Sequence, residues 1–278
     1  NLTENSVGAL VTNANNKYIN VTGDVVIGGQ IGDATETADW TFNSITINSG
    51  GIYSATQGIT HITGESVDGV AFSNTGTFTH NDGTINISTQ AVTWCSNTYV
   101  TAGNVFYNLI TSTSGTCAFG DASSTRTQTI ENEFNITSGT VSIAEDDEYI
   151  QIKNLNILGG ELDSSYLTSD IGLFNISGDV IVYSGGTLDT SNGGDHNIGS
   201  LTINSGGTYD ASNETTTMNG NLINYGTFTD NSGAVDFDNN ATIVGFDTQD
   251  LSNLSVSSPA YVTHKGNLTV TDGILVEG

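Results

Sequence analysis

The run Asp189-Thr190-Ser191-Asn192-Gly193-Gly194-Asp195 gathers oxygen-bearing side chains around two glycines. Hard divalent cations take their ligands from turns of this kind. Asp189, Ser191, Asn192 and Asp195 are therefore the candidate ligands for a calcium ion, the one ion the sequence suggests. Asp230-Asn231, Asp236 and Asp238 form a second group of the same chemistry. The GGxGxD repeat of calcium-binding β-rolls is absent, and both groups also read as ordinary polar turns. No other cofactor is indicated.

Cys95 and Cys117 stand 22 residues apart. If the structural repeat has that length, the two sulfurs stack one above the other within disulfide reach. Two stacked, unbonded thiols fit the same spacing. Asn-x-Ser/Thr sequons occur at Asn1, Asn20, Asn86, Asn135, Asn175, Asn213, Asn240, Asn253 and Asn267. They are glycosylation candidates, although a chain this rich in Asn, Ser and Thr produces sequons at about that rate by chance. The histidines, His61, His80, His196 and His264, follow no close metal spacing and read as surface side chains.

Charge narrows the function classes. The 278 residues carry 30 Asp plus Glu against 4 Lys plus Arg, a formal net of −26. The cations Lys17, Arg126, Lys153 and Lys265 lie far apart. Nucleic-acid binding and attachment to anionic membranes both need clustered cations, so neither partner is expected. No apolar run is long enough to span a bilayer, so no membrane insertion by this segment is expected. The chain has no initiator Met or signal peptide and reads as a processed chain or a piece of a longer one.

The elements that must position these residues are short strands. Apolar residues alternate with Thr, Ser and Asn at Ile45/Ile47, Val180/Val182, Leu201/Ile203 and Leu268/Val270, the half-buried strand signal. Glycine corners interrupt them every few residues, as at Asn81-Asp82-Gly83 and Ser205-Gly206-Gly207. No window keeps a helical period. The phrase SITINSGGIYSA (44–55) returns as SLTINSGGTYDA (200–211). VTGDVVIGG (21–29) returns as ISGDVIVYSGG (176–186), and NTGTFTHNDGTINIS (74–88) as NYGTFTDNSGAVDFD (224–238). The larger duplicates span about 21–143 and 176–278, each built of smaller units of about 20 to 25 residues. Stacked neighbours of that size share one core, which predicts an all-β fold: a parallel β-solenoid (β-helix) of about a dozen short coils with a larger internal duplication, continuous over 1–278. Asn precedes a strand in FNSITI, YNLI, KNLNI, FNI and SNLSV, so an Asn hydrogen-bond ladder is expected at one bend. A string of small β-sandwiches is the rival fold, disfavoured by very short strands and a single Pro.

With "GDVVI…SGG", "SLTINSGGTYDAS", "GTFTDNSGAVDF" and "FYNL", nearly the whole chain resembles the glycine- and asparagine-rich β-solenoid repeats of microbial surface proteins, including autotransporter-like adhesins. It also resembles repeat regions of marine phage tail fibres. The resemblance implies an extracellular, cell-surface or virion-surface structural protein, forming part of a filament, stalk or fibre. Its implied partners are other copies of itself, end to end or lateral, and glycans in the adhesin alternative. Trp40, Trp94, Tyr53, Tyr183 and Tyr209 are the aromatics available to sugars; Tyr53 and Tyr209 match between copies and read equally as core or stack positions. A β-helical polysaccharide lyase or hydrolase is the remaining alternative. It would need cationic clamps, or Asp residues on adjacent coils. The scattered cations and the absence of Gly-His-Gly and Arg-x-Lys signatures argue against it, and no enzyme is expected.

Overall fold

The computed structural model describes residues 1–4, 9–10, 17–67, 69–88, 104–119, 126–143, 148–164, 174–246 and 250–277. Among these every regular element is a β-strand, and the strands stack in parallel as a β-solenoid of about 11 turns. No helix among them is long and apolar enough to cross a membrane. Two compact units divide the chain, Asn1–Ser142 and Ile143–Gly278.

In the first unit each turn supplies three short strands, one to each of three parallel stacks. Leu2–Glu4, Val25–Ile27, Ile45–Ile47 and Phe72–Asn74 form one stack. Ala9–Leu10, Gln30–Ile31, Ile52–Ser54 and Thr77–Thr79 form the second. Asn20–Val21, Trp40–Phe42, Ile59–Ile62 and Thr84–Ile87 form the third and lead on to Val105–Phe119. The register is strict because one face of each strand is buried and a slip by one residue would expose it. Thus Val25 sits under Ile45 and Ile45 under Phe72, each fully buried.

The second unit repeats the plan. Thr187–Asp189, Thr208–Asp210 and Thr227–Thr229 continue the stack begun by Glu161–Asp163. Thr215–Met218, Ala234–Phe237, Asp250–Val256 and Thr269–Val276 follow one another in a second. Leu222–Asn224, Ala241–Val244 and Val262–Lys265 make the third. His196–Ile203 runs without a break across two of these sides, its first half over Thr216–Met218 and its second over Leu222–Asn224.

Glycine is demanded where coils touch. At Gly32, φ is +91° and a Cβ would meet the Ser54 carbonyl oxygen at 1.8 Å. At Gly245, φ is +87° and the Asn224 carbonyl would be met at 1.7 Å. Both conformations belong to glycine.

The Asn ladder is present in part. Asn132 donates to Asn108 Oδ1 at 2.8 Å, and Asn74 to Asn104 at 2.7 Å. Asn43 instead bridges Asp24 (2.9 Å) and the Glu65 carbonyl (2.8 Å), one coil on either side. Asn154 accepts from the backbone of Asp179 at 3.1 Å. These residues stand at different corners: Asn108 is in register with Thr84 and Ile59, Asn74 ends a strand of the first stack, and Asn43 follows Trp40–Phe42, so Asn side chains tie coil to coil without forming one ladder at one bend.

Candidate functional site

The two copies carry the same interior polar cluster. Tyr53 and Tyr209 point into the core, 0% and 1% exposed. Tyr53 Oη lies 2.8 Å from Thr60 Oγ1, and Tyr209 Oη lies 3.1 Å from Thr216 Oγ1, seven residues on in both cases. Burial raises both phenols above their ordinary value, so they stay protonated. Around each Tyr, a side chain ties adjacent coils. Asn81 donates to Ser54 Oγ (2.8 Å) and the Ala55 carbonyl (2.7 Å); Asn231 donates to Asp210 Oδ1 (2.8 Å) and the Ala211 carbonyl (2.7 Å). Thr56 Oγ1 donates to the Ala38 carbonyl at 2.7 Å, and Ser212 Oγ to the Gly193 carbonyl at 2.7 Å. Asp39 and Asp195 accept from the backbone of Ile59 (2.8 Å) and Thr215 (3.0 Å). Each of these residues cross-links neighbouring coils, which is structural work.

The loop 189–195 lies inside this arrangement. Asp189 Oδ1 accepts from Ser191 N at 2.9 Å, closing the turn on itself. Asp195 Oδ1 is committed to the next coil through Thr215. Asp230 accepts from Ser232 N at 2.9 Å, Ser257 Oγ donates to Asp236 at 3.4 Å, and Asp238 lies beyond the Ala234–Phe237 strand from Asp230. Asp189, Asp195, Asp230 and Asp236 thus use their oxygens as protein hydrogen-bond acceptors. Among the described residues no group of three or more His, Cys, Asp or Glu could hold a metal ion.

One reading from sequence needs correction: His196 is an interior residue, fully buried, not a surface one. Its ring meets Phe174 edge-on at 5.5 Å and 84°. Neither ring nitrogen has a hydrogen-bond partner. Burial drives its pKa down to about 4, opposed by the Thr190 backbone and the Asp195 carboxylate. Gly193 makes room for it, because a Cβ there would come within 2.6 Å of Nε2. The other three histidines keep some exposure; His80 stacks on Tyr107 at 5.7 Å and pairs with Glu131 at 3.3 Å.

Cys117 is fully buried, while Cys95 lies outside the described residues, as does Trp94. Of the sequons, Asn1, Asn20, Asn213, Asn240 and Asn267 are exposed; Asn86, Asn135, Asn175 and Asn253 are half-buried in the strand stacks. Trp40 is core with Tyr53 and Tyr209, and Tyr183 is 37% exposed. The prominent surface aromatics are Tyr18, Tyr225 and Tyr261, which the sequence did not single out.

A further feature escaped the sequence. Asp163, Asp189 and Asp210 are register partners on three successive coils, all on the outward side of one stack. Adjacent parallel strands are about 4.8 Å apart, so three carboxylates stand in a column. Asp189 and Asp210 spend an oxygen on Ser191 and Asn231 respectively.

At the far side of the second unit, Thr269–Val276 pairs with Asp250–Val256. Ile274 and Val276 are in register with Leu254 and Val256. The partners are each 7% exposed, but Ile274 and Val276 are 64% and 66% exposed. No protein-family model, no curated protein and no solved structure matches this chain.

Proposed function

We propose that this protein is an extracellular structural β-solenoid that forms part of a surface filament, stalk or fibre. The observation that carries this reading is the stacking of coil on coil in strict parallel register, with neighbouring coils cross-linked by the side chains of Asn81, Asn231, Thr56 and Ser212. Coils of this kind share one long core, and a solenoid of them is extended by pairing with a further coil. That coil is supplied by further repeats or by another copy of the protein, end to end or lateral. The bonds that Asn81, Asn231, Thr56 and Ser212 make near Tyr53 and Tyr209 hold coil to coil, and this reading assigns them no turnover. The high negative charge keeps such an assembly soluble and suits a salt-rich exterior.

Negative-stain electron microscopy of the native assembly in high salt tests the reading. Filaments whose axial repeat is near the length of one chain support it. Discrete particles that never associate, at any concentration, overturn self-assembly. Particles bundled in threes would favour the phage-fibre or adhesin alternative.

A further inference from the structure

The sequence holds two Asn-Gly pairs, Asn192-Gly193 and Asn219-Gly220. The side-chain amide of an Asn before glycine is open to attack at Cγ by the glycine backbone nitrogen, because no Cβ hinders the approach. Both asparagines are exposed, so access to water does not distinguish them. Their surroundings do. Gly193 N donates to the Thr190 carbonyl at 2.9 Å, which closes the turn and occupies the nitrogen. The Gly220 N–H has no hydrogen-bond partner among the described residues. Its corner is an inner one, with Ser200 of the preceding coil beside Gly220 and Asn239 of the following coil beside Asn219. Asn239 donates its Nδ2–H to Asn219 Oδ1 at 3.1 Å. A donor on this oxygen draws charge from Cγ and stabilises the oxyanion that forms when the nitrogen attacks.

We propose that Asn219 is a site of spontaneous self-modification, its side chain closing onto Gly220 N to give a succinimide that water opens to aspartate or isoaspartate. Gly220 N gives its proton to a solvent base and bonds to Asn219 Cγ, while the negative charge passes to Oδ1, where Asn239 donates. The Cγ–Nδ2 bond then breaks, and the nitrogen leaves as ammonia with a proton from solvent. One water molecule hydrolyses the ring at either carbonyl, and no oxidant or reductant takes part. Asn219 and Asp238 directly follow the register pair Met218 and Phe237, so the new carboxylate stands one coil from another acid. Like charges opposite one another on neighbouring strands are destabilising. The isoaspartyl form also inserts a methylene into the backbone between Thr215–Met218 and Leu222–Asn224, both of which are held in register by His196–Ile203. The corner thus carries a slow covalent timer that loosens it with age. The site goes beyond the structural reading and does not depend on it.

Ageing the whole chain in mildly alkaline buffer, followed by acidic digestion and peptide mass spectrometry, tests this. We expect Asn219 to exchange its amide for a carboxyl about threefold to tenfold faster than Asn192, the factor that one net backbone hydrogen bond supplies. Part of the product should be isoaspartate, which only the ring route yields. In the urea-unfolded chain the two sites should react at similar rates, since both are then plain Asn-Gly pairs. Asn239→Ala changes an exposed side chain and removes the donor to Asn219 Oδ1. It should slow Asn219 and leave Asn192 unchanged, with circular dichroism verifying that the fold is retained. Asn192 reacting as fast as Asn219 or faster in the folded chain overturns the proposal. So does an Asn219 that stays intact in the folded chain and reacts in urea. Unchanged or faster reaction of Asn219 in Asn239→Ala would overturn the role given to the Asn239 donor.

Discussion

The turn that holds Trp40 and the turn that holds His196 are two versions of one design. DWTFNSITINSGG (39–51) and DHNIGSLTINSGG (195–207) align without a gap, and Trp40 falls on His196. Both rings are fully buried, and both lie one coil before the Thr that bonds the interior Tyr. Trp40 donates its Nε1–H to the Lys17 carbonyl at 2.9 Å, so its one polar atom is satisfied. His196 brings two ring nitrogens to the same place and finds a partner for neither. An unbonded buried polar group costs roughly 1–3 kcal/mol. The solenoid tolerates the exchange because each coil contributes its own set of cross-links, so a local deficit is spread over neighbours. The difference shows that stacking fixes the position and leaves the chemistry of the side chain open.

Acid should separate the two turns most sharply. The folded His196 value of about 4 lies below the ordinary 6.5, so the folded interior takes the neutral ring and the unfolded chain binds the proton more readily. Stability is therefore complete above pH 6.5 and is lost as pH falls through the window from 6.5 to 4, by a ceiling of about 3 kcal/mol. Phe174, Thr216, Thr190 and Asp195 are the groups that surround or oppose the charge, and of these only Asp195 titrates. Urea unfolding followed by circular dichroism, at pH 7 and pH 4.5, should give a smaller loss for His196→Phe than for the parent. Identical losses would mean that the imidazole takes its proton without opening the core.

Next in size is the pair of interior hydroxyl bonds. Removing the phenol oxygen in Tyr53→Phe leaves Thr60 Oγ1 buried without its partner, at a cost of about 1–3 kcal/mol. Tyr209→Phe should cost at least as much, because Thr190 Oγ1 also reaches Tyr209 Oη, at 3.4 Å. Thermal unfolding of the two variants side by side gives the order. A clearly larger loss in Tyr53→Phe would show that the two copies do not share the same interior load.

Much of this architecture was legible in the chain. Period-two alternation and glycine corners give short strands, and the repeated SITINSGG and SLTINSGG phrases give stacked coils. The Tyr53/Tyr209 match pointed to an equivalent position, and stacking then puts both rings inside. His196 was misread because its sequence neighbours Asp195 and Asn197 are polar, and alternation over so short a strand is ambiguous. Its alignment with Trp40 in the gapless DWTF/DHNI pair was the signal that would have placed it. The Asp163–Asp189–Asp210 column depends on which residues of unequal coils fall in register. Coil lengths vary, from Thr208 over Thr227 to Ile45 over Phe72, and no fixed period could align those positions. The repeated motifs betray the core because the core repeats; the surface is set by the variable corners.

That column supplies the finest comparison. In the first unit the outward positions of the corresponding stack hold Ser54 over Thr79 and Ile52 over Thr77, all uncharged. In the second unit the same side carries Asp163, Asp189 and Asp210 in succession. Like charges directly opposite on neighbouring strands are destabilising by a few tenths to about 1 kcal/mol. Asp189→Asn removes the middle charge and keeps the oxygen that accepts from Ser191 N. The variant should gain about 0.2–1 kcal/mol in urea unfolding at low salt. The gain should shrink towards zero in about 1 M salt, where the screening length falls to about 3 Å, shorter than the strand spacing. Thr79→Asp in the first unit is the mirror test, and it should lose little, because Thr79 is exposed and its register partner Ser54 bears no charge. If Asp189→Asn instead destabilises the chain at every salt concentration, the Asp189 carboxylate contributes more through the turn it closes than it costs by repulsion, and the acidic column is held together by its hydrogen bonds.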